Sequence, residues 1–228
     1  MQPTINSQGI VFDLDETLID RKGSLTHYAQ LLWTHFKAHT DLEQHEFLAA
    51  FHKLDGNGRV ARSKFFSDLS ENALSGVRPK AIAEHFYAHA WLAPTLFPRV
   101  LEVIDAFRKQ AFAVGVVTNG GSYAQNAKLN NTNIAQHLDA YVISEEFGAK
   151  KPDPAIYAEI AQRLDINPTN SWFVGDDPLA DVVGPSRFGF NTAWLRRYLP
   201  WPAGHEPCYA YQITHIAELR DALLHTSR

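Results

Sequence analysis

The segment Ile10–Leu18 reads IVFDLDETL, and it decides the fold. Three apolar residues lead directly into Asp13 and Asp15, two carboxylates separated by one residue. Such a run predicts a buried parallel strand that delivers both acids to its carboxyl end, with side chains i and i+2 on the same side. Because two like charges held this close repel unless a cation or a shared proton compensates, the pair is a candidate magnesium site or a nucleophile beside an acid. An Asp-rich turn after an edge strand is the alternative.

Strand-like apolar runs alternate with helical patterns along much of the chain. The runs are Gly9–Leu14, Phe112–Thr118, Ala140–Ser144, Ser171–Gly175 and Asn191–Leu195, and the helical patterns include Val100–Lys109, Tyr123–Asn130 and Pro154–Leu164. This alternation predicts an α/β fold, in which a parallel sheet has helices on both faces. In such sheets, ligands bind beyond the carboxyl ends of the strands.

Residues 20–93 interrupt the alternation, because they contain four helical patterns and no convincing strand. We expect a small helical domain inserted after the first strand, with residues 1–19 and 94–228 forming the catalytic core. Helices packed flat on the sheet are the alternative.

The composition argues against several classes of protein. The 228 residues are 45% hydrophobic and carry a formal net charge of −4, whereas proteins that bind nucleic-acid polymers are typically basic. The single cysteine, Cys208, allows no internal disulfide, and no signal peptide or membrane-spanning run is visible. We therefore expect a cytoplasmic protein without a membrane partner, and leave open whether it is a monomer or a homodimer.

Two later strand ends carry residues that suit the binding of an anion. Thr118, Asn119 and Gly120 open a glycine-rich turn before a helix, where a hydroxyl and backbone N–H groups can cradle a phosphate. A hairpin is the alternative for this Asn-Gly sequence. Lys151, in a proline-bracketed loop, can hold a fixed cation near phosphoryl oxygens, although paired lysines are more often solvated surface residues.

The segment Gly175–Asp181, GDDPLAD, supplies further acids after another predicted strand. Asp176 lies at the strand tip, where it can share a hard cation with Asp13, since Mg²⁺ prefers oxygen ligands. Asp177 precedes a proline and fits a helix N-cap, so we favour Asp176 as the metal ligand. Asp181, one helical turn further on, can orient Lys151 through an ion pair.

The four motifs, taken in order, resemble those of the haloacid dehalogenase-like (HAD) hydrolase superfamily: Phe12–Thr17, Thr118–Gly120, Lys151–Asp153 and Gly175–Asp181. The resemblance implies a Rossmann-like core with the first strand central and a four-helix cap domain inserted after it. The chain is most similar to the capped phosphatases related to bacterial 5′-nucleotidases and phosphoglycolate phosphatases. Glu16 replaces a glycine that is common after the second Asp, and this variant favours the nucleotidase-like branch.

The resemblance also implies a role for each motif. Asp13 would be the nucleophile and Asp15 the general acid and base, while Thr118 would bind phosphoryl oxygens and Lys151 would steady the nucleophile. The Mg²⁺ cofactor would be held by Asp13, the carbonyl oxygen of Asp15, and Asp176.

The expected activity is hydrolysis of a small soluble phosphate monoester through an aspartyl-phosphate, with nucleoside 5′-monophosphates ahead of phosphoglycolate and sugar phosphates. A phosphomutase, a haloacid dehalogenase and a non-catalytic binding domain are the alternatives, and the dehalogenase would have no task for an acid at Asp15. Arg59 and Arg62, in a segment rich in glycine and cations, are the expected contacts to the leaving group. A solvated turn between helices is the alternative for that segment.

Overall fold

The computed structural model describes residues 7–224 of the chain. The chain divides into two compact units, one containing the residues up to Ile19 and from Leu96 onward, and the other containing Asp20–Thr95. Within the described part of the chain, no helix is both long and apolar enough to cross a membrane.

The unit of residues 20–95 is built from four α-helices: α1 (Arg21–His35), α2 (Gln44–Asp55), α3 (Arg62–Asn72) and α4 (Pro79–His89). Its interior is aromatic. The ring of the buried Phe65 lies edge-to-face against Phe51 and Phe86, with ring centroids 5.2 and 6.2 Å away. These rings fill the interior of their own unit. Edge-to-face contact is one of the arrangements that aromatic pairs prefer.

The other unit contains a six-stranded parallel sheet in the order β3-β2-β1-β4-β5-β6. The strands are β1 (Gly9–Phe12), β2 (Ala113–Thr118), β3 (Ala140–Ile143), β4 (Trp172–Gly175), β5 (Asn191–Leu195) and β6 (Tyr211–Ile213). The predicted α/β fold is confirmed, and each of the five predicted runs contains a strand. The edge strand β6 was not predicted, because three residues are too few to show an apolar pattern.

Helices cover both faces of the sheet, and they are α5 (Val100–Lys109), α6 (Ser122–Asn131), α7 (Ser144–Phe147), α8 (Pro154–Leu164), α9 (Gly184–Phe188) and α10 (Ile216–Leu224). Alternate residues of β1 point to opposite faces of the sheet, because successive side chains of a strand alternate in direction. Ile10 and Phe12 pack with buried side chains of α5, α6 and α10, whereas Val11 packs with those of α8. The first strand is therefore buried on both faces, and the residues that follow it emerge at the carboxyl edge.

Candidate active site

The carboxyl ends of two adjacent strands bring the predicted acids together. Asp13 directly follows β1, and its backbone N–H donates to the carbonyl oxygen of Val174 in β4 at 2.8 Å. Asp176 directly follows β4, and its own carbonyl oxygen accepts from the indole N–H of Trp194 at 3.2 Å. Carboxylate oxygens of Asp13, Asp176 and Asp181 lie within 4.8 Å of one another. Acids from two segments that are far apart in the sequence thus share one site at the edge where such sheets bind ligands.

The buried ammonium group of Lys151 is bound through three contacts. Its Nζ donates to Asp13 Oδ1 at 2.6 Å, to Asp181 Oδ1 at 2.7 Å and to the carbonyl oxygen of Val117 at 2.8 Å. Burial lowers the pKa of Lys151, but the charges of Asp13 and Asp181 outweigh burial and raise that pKa overall, so the group stays charged. Because an ammonium group has three protons, these contacts use all of them. Lys151 therefore holds the Asp13 carboxylate in place.

The carboxylate of Asp181 is fully engaged with the protein. Its Oδ1 accepts from Lys151, and its Oδ2 accepts from the backbone N–H of Asp177 at 2.9 Å. The group packs over Gly175, where any larger residue would place a Cβ in overlap with it. Asp177 is an N-cap, as its sequence predicts, because its Oδ1 accepts from the N–H groups of the second and third residues that follow it, at 3.0 and 3.1 Å.

Of the three clustered acids, Asp176 is the one without a positive partner in the part of the chain that the structure describes. Among the described residues, no hydrogen bond or ion pair reaches its carboxylate. Burial, followed by the charges of Asp13 and Asp181, raises the pKa of Asp176 to about 9. A cation beside Asp13 and Asp176 would offset this repulsion, and an all-oxygen site suits a hard ion such as Mg²⁺. The residues present therefore fit a divalent cation, with Asp176 a better ligand than the fully bonded Asp181.

The loop after β2 is held together by the residues expected to bind the substrate. Thr118 is buried at the end of β2. Asn119 bonds the backbone of Lys151 in both directions, with Nδ2 donating to its carbonyl oxygen at 3.0 Å and Oδ1 accepting from its N–H at 2.9 Å. The N–H of Gly120 donates to Ser144 Oγ at 3.0 Å. Contacts of Asn119 and Gly120 with a substrate stay predictions, whereas their contacts within the loop are observed.

Two further residues, Gln125 and Lys128 of α6, contact Asp15. Lys128 Nζ donates to both carboxylate oxygens of Asp15, at 2.7 and 2.6 Å, and Gln125 Nε2 donates to Oδ2 at 3.1 Å. The helical pattern of the sequence predicts α6, but neither residue stands out from that pattern as a site residue. The sequence did contain an indication of their role, because Gln125 and Lys128 are three residues apart and so share one face of the helix. A face that packs on a sheet is normally apolar, and here it carries two buried polar side chains.

The two arginines expected to contact the leaving group belong to the helical unit. Arg62 Nη1 donates to the buried Asp55 at 2.9 Å, and Arg21 Nη2 contacts both oxygens of the same carboxylate at 2.8 Å. The guanidinium of Arg62 also lies 5.0 Å from the centroid of the Phe86 ring. Arg59 is exposed in the turn between α2 and α3. Contact of either Arg59 or Arg62 with a substrate stays a prediction, and Arg62 already has an acidic partner within its own unit.

Comparison with known proteins identifies a matching family, similar curated proteins and similar solved structures. The family model described as haloacid dehalogenase-like hydrolase matches residues 10–195. The glyceraldehyde 3-phosphate phosphatase of Methanopyrus kandleri is 29% identical over 199 residues, which cover 83% of this chain and 84% of that protein. The pyrimidine 5′-nucleotidase YjjG of Escherichia coli is 30% identical over 145 residues, 62% of this chain and 64% of that protein. A crystal structure of a dehalogenase in an intermediate complex superposes with a TM-score of 0.74 over 95% of this chain and 97% of that one, and at 20% identity this likeness shows the fold alone.

Proposed function

The chain belongs to the haloacid dehalogenase-like hydrolases, and we propose that it is a Mg²⁺-dependent phosphatase that cleaves a small phosphate monoester through an aspartyl-phosphate. The observation that supports this proposal most directly is the ion pair between Lys151 and Asp13. A buried carboxylate that is fixed by a buried cation at the tip of the central strand is suited to act as a nucleophile rather than to stabilise the fold. Asp15, two residues further on, supplies an acid that a dehalogenase would not use.

The first half of the reaction transfers the phosphoryl group to the protein. Because Lys151 binds Oδ1 of Asp13, we assign the attack on phosphorus to Oδ2. The bond between phosphorus and the leaving oxygen breaks as the bond to Asp13 forms, and Asp15 gives its proton to the departing alkoxide. Thr118 binds a phosphoryl oxygen.

The second half regenerates the enzyme. A water molecule attacks the phosphorus of the aspartyl-phosphate, Asp15 accepts a proton from that water, and orthophosphate leaves while the carboxylate of Asp13 is restored. Asp13, Asp176 and the carbonyl oxygen of Asp15 would hold the Mg²⁺ ion, which supplies positive charge against the repulsion between Asp13 and the phosphoryl group. Acceleration here depends mainly on positioning and electrostatics.

The proposed substrate is a small phosphorylated metabolite. The match to the glyceraldehyde 3-phosphate phosphatase spans 83% of the chain, more than the sheet-containing unit alone, so it includes part of residues 20–95. We propose that this helical unit is the cap that selects the leaving group. For that reason we place short sugar phosphates and triose phosphates ahead of nucleoside 5′-monophosphates, which reverses the order drawn from the sequence.

The test compares wild type with Asp13→Asn, which keeps the shape of the side chain but removes the nucleophile. Phosphate release from an aryl phosphate should fall by on the order of 10³ or more. Asp165→Asn is the matched control, because Asp165 is exposed and has a left-handed backbone that asparagine also adopts. If Asp13→Asn keeps more than a few per cent of the activity, Asp13 is not the nucleophile. If the wild type releases halide from a 2-haloacid and no phosphate from any ester, it is a dehalogenase instead.

A further inference from the structure

Helix α6 buries a lysine and a glutamine directly behind two residues of the proposed active site. Lys128 and Gln125 are 2% and 1% exposed. Lys128 Nζ contacts both oxygens of Asp15 and also donates to Gln125 Oε1 at 2.6 Å. Gln125 Nε2 in turn lies 2.5 Å from Thr118 Oγ1 and 3.1 Å from Asp15 Oδ2. One connected network therefore joins the proposed acid and base to the proposed phosphate-binding hydroxyl.

The lysine determines which way the glutamine amide points. An ammonium group only donates, so the amide atom that faces Lys128 has to be the oxygen Oε1. The NH₂ group then faces Asp15 and Thr118, and a carboxylate is the acceptor that such a donor requires. Turning the amide over would place NH₂ against NH₃⁺ and oxygen against carboxylate. The charge of Lys128 thus fixes the orientation of Gln125.

The glutamine in turn determines the direction of the Thr118 hydroxyl proton. Since Oγ1 of Thr118 accepts from Gln125 Nε2, its single proton is not used in that contact. That proton is then available to a phosphoryl oxygen, which can only accept. An acceptor in place of the Gln125 NH₂ group would turn the hydroxyl toward α6 instead.

We propose that Lys128 and Gln125 are positioning residues, through which Lys128 fixes the Asp15 carboxylate and Gln125 keeps the Thr118 hydroxyl as a donor to phosphate. This role rests on the proposed phosphatase function. Lys128 transfers no proton itself. Both Asp15 oxygens accept hydrogen bonds in the structure, so Asp15 first takes a proton from the attacking water as the new P–O bond forms, and it gives that proton to the leaving oxygen of the next ester as that P–O bond breaks.

The first test uses Lys128→Met, an uncharged residue of similar length, with two substrates. An alkyl phosphate needs its leaving oxygen protonated, whereas a nitrophenyl phosphate loses a stable anion. For an alkyl phosphate, kcat should fall on the order of 10²-fold or more with little change in KM. The rapid first release of nitrophenolate should fall less than about tenfold. A lysine that only fills space would be replaced well by methionine, and any loss would be the same for both substrates.

A double-mutant cycle separates positioning from instability. If Lys128 acts on proton transfer through Asp15, the Asp15→Asn/Lys128→Met double variant should match Asp15→Asn alone within about threefold in kcat for the alkyl phosphate. The double variant also leaves no unpaired carboxylate beside the missing lysine, so it tests the role even where the single variant unfolds. Independent losses that multiply in the double variant would overturn the proposal.

The second test uses Gln125→Glu, which presents an oxygen where the NH₂ group lies. Inhibition by inorganic phosphate should weaken by roughly tenfold or more, because the Thr118 hydroxyl then donates to Glu instead of phosphate. An unchanged inhibition constant would overturn the role of Gln125. A wild type that hydrolyses neither ester would refute the proposed function itself, whereas an active wild type with fully active Lys128→Met refutes only the positioning role.

Discussion

Asn119→Ala should disturb the active site through the loop that carries Lys151. The Asn119 amide bonds the Lys151 backbone in both directions, so it joins the loop after β2 to the loop that carries Lys151. A net contribution of about 0.5–1.5 kcal/mol for each hydrogen bond gives a loss of about 1–3 kcal/mol in unfolding free energy. At about 2–4 °C per kcal/mol for a chain of this size, the melting temperature should fall by about 2–12 °C.

The effect of Asn119→Ala on catalysis should appear in kcat. Lys151 holds Asp13 at 2.6 Å, and a shift of its loop moves the proposed nucleophile. We expect kcat to fall about tenfold to a hundredfold, since misplacing a reacting group by about 1 Å can cost that much. The KM and the inhibition constant of inorganic phosphate should change less than about threefold, because the two observed bonds that are lost join the Asn119 side chain to the Lys151 backbone.

The assay combines thermal unfolding with steady-state kinetics, using Asn130→Ala as the control. Asn130 is an exposed residue of α6, and alanine suits a helix, so this control should leave stability and kcat at wild-type levels. The reasoning is refuted if Asn119→Ala keeps the wild-type melting temperature while the inhibition constant of phosphate rises tenfold. Asn119 would then contact the substrate, as the sequence motif alone suggests.

Three other predictions concern the cation, the helical unit and pH. Adding Mg²⁺ to the chelator-treated protein should raise its melting temperature and restore phosphate release, since a cation offsets the repulsion among the acids. Asp176→Asn should abolish this rise in melting temperature. A rise that persists in Asp176→Asn would place the cation elsewhere. Asp55→Ala should destabilise the protein by about 3–5 kcal/mol in denaturant unfolding, because it leaves the buried Arg21 without its carboxylate, whereas Asp55→Asn, which keeps an acceptor, should cost less. Burial, together with His89 and His35, lowers the pKa of His85 from 6.5 to about 4, so its contribution to stability is complete above pH 6.5 and is lost as the pH falls toward 4. His85→Gln should therefore have a shallower fall in melting temperature over that range, and an identical slope would contradict this assignment.

Much of the fold and of the site could be predicted from the chain because the signals were local. Apolar runs that end in an acid or in Thr118 predicted both the strands and the edge at which they end. The choice of Asp176 over Asp177 as a candidate ligand also needed only local chemistry, since the proline after Asp177 indicated a helix N-cap. The N-cap role of Asp177 is confirmed, because its carboxylate accepts from backbone N–H groups, whereas metal binding by Asp176 stays a prediction.

What the sequence did not reveal depends on partners that are distant along the chain. Contact of Asn119 with the substrate stays a prediction, but nothing in the sequence indicated that its side chain also bonds the Lys151 backbone, 32 residues away. Lys128 lies 113 residues from Asp15 in the sequence, so no spacing rule connects them. In each case the residue type indicated polar chemistry, and tertiary packing decided which polar group it meets.

The two buried lysines also restrict how the site can bind a phosphate. Lys151 directs its three protons to Asp13, Asp181 and the Val117 carbonyl oxygen, and Lys128 directs its donors to Asp15 and the Gln125 amide oxygen. Both ammonium groups thus offset the burial of acids, and neither is directed to an incoming anion. Under the proposed function, we expect Thr118, backbone N–H groups and a cation beside Asp176 to contribute to binding the charge of a phosphoryl group. Replacing either lysine should consequently lower kcat through the carboxylates, whereas weakening the cation site should weaken phosphate binding itself.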